Sequence, residues 1–301
     1  MNRNMARVVL ITAGAVWGIG FVVNKYILNS GWNDSQLLFI RFLTATVAIC
    51  AFYYRRILQT NFETIKWGMF LGVLLYLGFY FQTWGLVHTT ASNNALITAG
   101  YIVLMPVVVY IMERTHIPFK TIIAGVVTLI GISIITVDFG DISGISLGDT
   151  LTFIGAFFYS IHIYFLGKKT KQVDLFVLMS FQLIMFSFLA FIVMMINGGL
   201  PSISFSNSND VTVLLAAIII GFFGSFLGFL FQSIGQKYTN PAEAAILIST
   251  ESLFGPLFAI LLLNEEFSLK IVVGAIFVFG GIILSEIDIN AFLKAYLNEK
   301  E

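Results

Sequence analysis

The chain has 301 residues, 58% of them hydrophobic and only 11% charged, with a mean hydropathy of +0.93. A water-soluble domain needs about a quarter of its residues charged to cover its surface, so a soluble fold is excluded and the apolar excess must face lipid. The formal net charge is zero, which gives nucleic acid nothing to bind, and the single cysteine, Cys50, excludes an internal disulfide.

A membrane-spanning helix needs about 20 mainly apolar residues, because each adds 1.5 Å across a core of about 30 Å. Ten stretches qualify, at about 8–28, 37–54, 67–87, 92–112, 119–137, 147–166, 174–196, 211–234, 241–263 and 268–287. Arg3 and Arg7 precede the first like the start of a signal peptide, but that run is too long for one and no small-residue cleavage site follows. It is read as the first span. Lipid cannot hydrogen-bond an open backbone, and the runs are continuous rather than alternating, so they are helices and not barrel strands. The expected fold class is an all-α integral membrane protein of ten transmembrane helices. After the last span, Ile289, Phe292, Leu293, Tyr296 and Leu297 share one face, which predicts a short amphipathic helix on the membrane surface.

The loops set the orientation. With the N-terminus inside, 13 of the 16 Lys and Arg residues fall in inner segments, and Asp34, Asp138, Asp141, Asp210, Glu265 and Glu266 fall outside. That bias predicts both termini in the cytoplasm. Lys25 and Arg41 fall within spans, near the outer ends.

The chain repeats itself. Leu77-Gly78-Phe79-Tyr80-Phe81-Gln82 recurs as Leu227-Gly228-Phe229-Leu230-Phe231-Gln232, at an offset of 150. The same offset aligns Gly85 with Gly235, Thr89 with Thr239, Pro106 with Pro256 and Gly131 with Gly281. Spans three and four thus map onto eight and nine, giving five helices per half. Five is odd, so the second half enters the membrane inverted, the architecture of secondary transporters with a solute site near the midplane between the repeats. The expected units are residues 1–140, 141–288 and a tail at 289–301.

Ala15-Val16-Trp17-Gly18 with Asn24-Lys25, Ile40-Arg41-Phe42 in span two, and the run Ala242–Glu266 with Glu251 and Glu265 together resemble the EamA family of the drug/metabolite transporter superfamily. The resemblance covers nearly the whole chain. It implies two inverted five-helix halves, residence in the cell membrane of bacterial type, and transport, mostly export, of amino acids, other metabolites or drugs. Asn264 stands where the family usually has Gly, Ser252 where Pro often follows the glutamate, and Arg114-Thr115 where the first half would have Gly-Glu.

Candidate site residues are polar or aromatic groups deep in spans. Glu251 sits mid-span, where a carboxylate costs several kcal/mol unless it faces the bundle interior or water; it is a solute ligand or proton carrier, or else a hydrogen-bonded structural acid. Arg41 can grip a solute carboxylate with two parallel hydrogen bonds or snorkel to the outer surface, and Lys25 has the same two readings. Tyr101, the repeat partner of Glu251, shares a helical face with Thr98 and Asn94. Gln82 and Gln232 belong to the repeated motif. Trp17 and Tyr159 lie at span centres, away from the interfaces where aromatics gather. His162 is a polar interior group or a proton site. Glu243 reads as part of a helix start, with Asn240 as cap and Pro241 at the first turn. The pairs Gly14/Gly18, Gly68/Gly72 and Gly224/Gly228 have the spacing of close helix contacts.

No metal-protease, hydrolase-elbow or P-loop pattern occurs, so the enzyme reading has no catalytic set and ATP is not the direct energy source. The expected partners are a small-molecule solute, the lipid bilayer and protons, with no cofactor and no nucleic acid. An intramembrane enzyme or a receptor-like membrane protein is the competing class.

Overall fold

A computed structural model describes residues 1–114, 119–136, 146–266 and 268–286, and every regular element among them is helical. The first half contains α1 (Arg3–Asn29), α2 (Asp34–Ile57), α3 (Phe62–Val87), α4 (Ala91–Thr98), α5 (Tyr101–Glu113) and α6 (Phe119–Thr136). The second contains α7 (Leu147–Lys169), α8 (Leu175–Ile196), α9 (Ser208–Ile220), α10 (Gly228–Tyr238), α11 (Pro241–Ile248), α12 (Glu251–Leu263) and α13 (Leu269–Glu286). Eight helical rods are long and apolar enough to cross a membrane, and α6 and α13 contain the two shorter apolar helices. Together they fall on the ten expected spans. The amphipathic tail, the boundary at 140 and loop positions 138–145 lie outside the described residues.

The helices start where short polar side chains satisfy free backbone N–H groups. Asn2, Asn33, Asn61, Thr90, Ser146, Asp174, Asn207 and Asn240 each accept a hydrogen bond from the first turn that follows. Helix α10 follows the turn before it without such a cap, and α5 and α12 begin without one because they start at breaks inside the bundle. There the expectation of continuous spans is corrected. Span four breaks at Ala99–Gly100 and span nine at Ser249–Thr250, positions related by the repeat. At each break the backbone tightens into bonds three residues apart, from Ile102 N to Ala99 O and from Ser252 N to Ser249 O. Pro106 and Pro256 follow, each withholding one N–H from the helix ladder.

Span eight departs differently. Gly221–Leu227 forms a π-helical turn between α9 and α10, whereas its repeat partner α3 runs unbroken.

The packing has the symmetry of an inverted repeat. Helix α6 lies along α13, and α2 along α8, each pair being its own mate across a pseudo-two-fold axis. The remaining contacts come in reciprocal sets. Helix α3 packs on α7 as α10 packs on α1, and α1 packs on α12 as α7 packs on α4 and α5.

Glycines permit these approaches. A Cβ at Gly14 would collide with Thr250 and the Ile248 carbonyl, and one at Gly18 with Phe254, so this pair is where α1 crosses the broken span nine. Gly68 and Gly72 do the same for α3 against α8, where an added Cβ would lie 2.6 Å from Phe181 Cβ and from the Gln182 carbonyl respectively. Large apolar side chains such as Val47, Phe52, Ile111 and Leu261 point outward and exposed, as a lipid-facing surface requires.

Candidate functional site

Between the halves lies a partly enclosed cavity. Its lining falls into repeat pairs. Trp17 is matched by Tyr159, Gly20 by His162 and Phe21 by Ile163 on spans one and six. Phe79 is matched by Phe229 and Gln82 by Gln232 on spans three and eight. Thr98 is matched by Ile248, and Tyr101 by Glu251, at the two helix breaks. The cavity therefore sits on the pseudo-two-fold axis, where Phe79 and Phe229 meet edge to face at 5.9 Å.

The repeated motif builds this wall. Its glycine makes room for an aromatic of the opposite half: a Cβ at Gly78 would strike the Tyr159 ring at 2.7 Å, and one at Gly228 the Trp17 indole at 2.5 Å. Its Phe and Gln face the cavity. The two glutamines have unequal surroundings. Gln82 accepts from Tyr159 Oη at 2.9 Å and donates to Thr98 Oγ1 at 2.9 Å. Gln232 faces Ile248, which cannot bond, and Trp17, whose Nε1–H goes instead to the Gly224 carbonyl at 2.7 Å. Its Oε1 consequently has no protein partner, as is true of Asn24 Oδ1 and Tyr101 Oη in the same cavity.

Two charged side chains enter. Glu251 is the first residue of α12 and is 5% exposed. It lies within interaction range of Tyr101 and Tyr159, although Tyr101 Oη makes no hydrogen bond of good geometry. Arg41 is 2% exposed, so it does not snorkel. Its guanidinium lies 5.4 Å from the Phe42 ring and 5.0 Å from the Phe79 ring, within cation–π range. Its Nε donates to Ser225 Oγ at 2.7 Å. No ion pair joins Arg41 to Glu251 or to any other acid among the described residues. The repeat partners of both are uncharged, so the charges give a symmetric cavity a polar direction.

Trp17, Arg41, Gln82, Thr98, Tyr101, Tyr159, His162, Gln232 and Glu251 are thus brought together, as expected from their depth and polarity. His162 Nε2 is hydrogen-bonded to Gln182 Oε1 at 2.9 Å. Asn94 stands behind the wall, its amide donating to the Gln82 carbonyl at 3.0 Å and to Thr152 Oγ1 at 2.7 Å. The break after Thr98 explains why Asn94, Thr98 and Tyr101 do not form one continuous face.

Lys25 is placed elsewhere. Its ammonium donates to the carbonyls of Leu86 and Thr89 at 2.7 and 2.8 Å, at the C-terminal end of α3, where a cation complements the helix dipole. Lys171 does the same for Thr239, the repeat mate of Thr89, at 2.8 Å.

Other acids tie the halves together. Glu243 has the expected capped start, its N–H bonded to Asn240 at 2.7 Å. Its carboxylate also pairs with Arg3 and Arg7, each at 2.7 Å. Arg56–Asp174 and Lys168–Glu113 likewise bridge the halves. Glu265 accepts from the backbone N–H groups of Ala91 and Ser92, capping α4 from the other half. The residue before it, Asn264, has φ 54°, a left-handed conformation that glycine and asparagine adopt most readily. Asparagine therefore suits this corner.

Sequence reasoning missed Phe79, Phe229 and Asn24 as lining residues, and Ser225. The first two were signalled by the repeated motif itself. Ser225 carried no signal, because its role depends on the π-helical turn.

Two inverted helical halves around a polar, partly charged cavity define a membrane transporter. The comparisons with known proteins agree. The EamA-like transporter family matches residues 4–137 and 146–287, and the chain belongs to this family. A protein from Archaeoglobus fulgidus described as an uncharacterized transporter is 27% identical over 268 residues, covering 88% of this chain and 80% of its own. A solved structure, described only as a crystal structure of a protein, matches with a TM-score of 0.69 at 15% identity, over 95% of this chain and 97% of its own, and shows the same fold. The chain is accordingly a multi-pass membrane transporter of the drug/metabolite type.

Proposed function

We propose that the central cavity is the solute site of an alternating-access secondary transporter that exports small metabolites or drugs, and that a zwitterion such as an amino acid is the solute it suits best. One observation carries this: a guanidinium and a carboxylate are buried in the same aromatic-walled cavity without forming an ion pair. Arg41 would take the solute carboxylate and Glu251 its ammonium group or a coupling proton. The unpartnered atoms of Asn24, Tyr101 and Gln232 are further points where a polar solute gains hydrogen bonds. Residues 1–140 and 141–288 act as the two rocking units, and interconversion is driven by a proton gradient or by the solute's own gradient.

The test is a solute panel in liposomes with an imposed pH gradient. A Gly20→Cys reporter placed in a Cys50→Ala background has room in the cavity, where a Cβ at Gly20 meets only Ile220 Cδ1 at 3.6 Å. Thiol labelling at this position is expected to slow several-fold in the presence of a transported solute, while labelling of a Val47→Cys control on the exposed surface does not change. Equal protection at both positions, or protection only at outer loops, contradicts the assignment.

Export from the cytoplasm requires an orientation, and the distribution of Lys and Arg supports both termini inside the cell membrane. With an impermeant thiol reagent added outside, Ser143→Cys is expected to label and Lys169→Cys to label only after the membrane is opened. The reverse pattern inverts the topology.

A further inference from the structure

We infer that Ser225, presented by the π-helical turn of span eight, is a positioning residue that holds the Arg41 guanidinium as a fork for an oxyanion, the carboxylate of the transported solute. This rests on the reading of the cavity as the solute site and adds what makes Arg41 competent there.

The argument begins with the backbone. In Gly221–Leu227 the ladder bond from Gly228 N–H reaches back five residues to Phe223 O. Such turns carry one residue more than a regular helix and alter which groups face inward. Two neighbours take up what this turn offers. Trp17 of span one donates to the Gly224 carbonyl at 2.7 Å, and Arg41 of span two donates through Nε to Ser225 Oγ at 2.7 Å. Ser225 is wholly buried, at 0% exposure. The turn thus fixes an aromatic and a cation of the first half at adjacent points.

Arg41 is then held on three sides. Phe42 and Phe79 flank its guanidinium, and Phe42 is itself stacked on Phe186 at 3.4 Å. Ser225 occupies Nε. Among the described residues neither terminal nitrogen has a hydrogen-bond partner, in a side chain that lines the cavity. A guanidinium whose Nε is engaged presents its two remaining nitrogens as an end-on fork, which matches the spacing of a planar oxyanion. The repeat mates confirm that this is a one-sided device. The segment of span three that corresponds to Gly221–Leu227 lies in the unbroken helix α3, so the other half has no such turn.

The experiment uses the full chain in lipid nanodiscs with 15N-labelled arginine, the Arg41 signals being assigned by their loss in Arg41→Lys. The probes are 3-phenylpropionate and L-phenylalanine, which carry a carboxylate, and phenethylamine, which does not. The carboxylate probes are expected to shift the Arg41 signals saturably and phenethylamine to leave them in place. Ser225→Ala is expected to shift the Nε–H signal and to raise half-saturation about tenfold or more, the scale of one hydrogen bond to a charged group. Ser225→Thr, which keeps the hydroxyl, stays within about twofold of the unmodified protein on the same scale. Ser225→Cys, similar in size but a weak acceptor, should behave like the alanine variant and serves if that one fails to fold. Carboxylate binding left unchanged by Ser225→Ala and Ser225→Cys overturns the inference alone. An Arg41 that ignores both carboxylates overturns the solute-site reading and the inference with it.

Discussion

Glu251→Gln is expected to abolish the response of transport to a pH gradient while leaving solute exchange in place. With one proton carried per solute, a gradient of one pH unit holds about a tenfold concentration ratio, since each 1.4 kcal/mol is a factor of ten. The variant should bring that ratio to about one. The reasoning runs from position to chemistry. Glu251 is 5% exposed and stands at a helix break, within interaction range of Tyr101 and Tyr159 but ion-paired with no cation among the described residues. A carboxylate held away from water and from cations costs several kcal/mol in its charged form. In the proposed cycle, opening the cavity to either side would restore water and remove that cost, so each half-cycle would change the balance between the charged and neutral forms. Glutamine keeps the shape and the hydrogen bonding and cannot titrate. Its repeat mate, Tyr101, offers no substitute. Liposome flux with and without the gradient distinguishes the outcomes. If Glu251 binds a cationic group of the solute directly, affinity falls with or without the gradient. A Glu251→Gln protein with normal pH response shows the residue to be structural.

Gly18→Leu should be strongly damaging to the scaffold. A Cβ at position 18 already lands on Phe254 and lies 3.1 Å from the backbone nitrogen of Gly255. The backbones of α1 and α12 must move apart to admit it, and Gly14 one turn earlier meets the same helix. Forcing extra atoms into a packed interface costs about 1–3 kcal/mol, occasionally more, out of a total stability of about 5–15 kcal/mol. The contact joins the halves beside the cavity, so the loss falls on assembly as well as on stability. Gly280→Ala is the control, since a Cβ there meets nothing within 4 Å, and it gains about 1 kcal/mol of helix propensity at most. Thermal unfolding in detergent, followed by reaction of the single thiol Cys50, is the measurement. A Gly18→Leu melting temperature equal to that of the unmodified protein would falsify the close crossing of α1 and α12.

Much of the site was legible before any fold was known, for a physical reason particular to membranes. Lipid penalises polar side chains, so those that persist in mid-span point inward. Glu251, Tyr159 and Trp17 were found by depth, Tyr101, Gln82 and Gln232 by the repeat, and Thr98 by its helical face, and they converge on one cavity. Lys25 shows the limit of that rule. Near a span end a long cation can satisfy itself locally, and Lys25 does so on the carbonyls of Leu86 and Thr89. Asn94 shows another limit: it is buried and polar, but its neighbours satisfy its amide nitrogen before it reaches the cavity.

The ten spans and the inverted halves follow from the sequence by itself. Span number is a matter of apolar length, and inversion follows from an odd number of helices per repeat. The ungapped match at an offset of 150 already placed Tyr101 opposite Glu251 and Gly78 opposite Gly228. Tertiary structure decided the rest, because the rest depends on contacts between distant segments. Whether Arg41 snorkelled or turned inward was settled by Phe79 and Ser225, on spans three and eight, which offer it a ring face and an acceptor within the bundle, beside the ring of its neighbour Phe42. The breaks at Ala99–Gly100 and Ser249–Thr250 and the π-helical turn at Gly221–Leu227 are likewise invisible in composition, since an apolar run reads the same whether its backbone bonds span three, four or five residues.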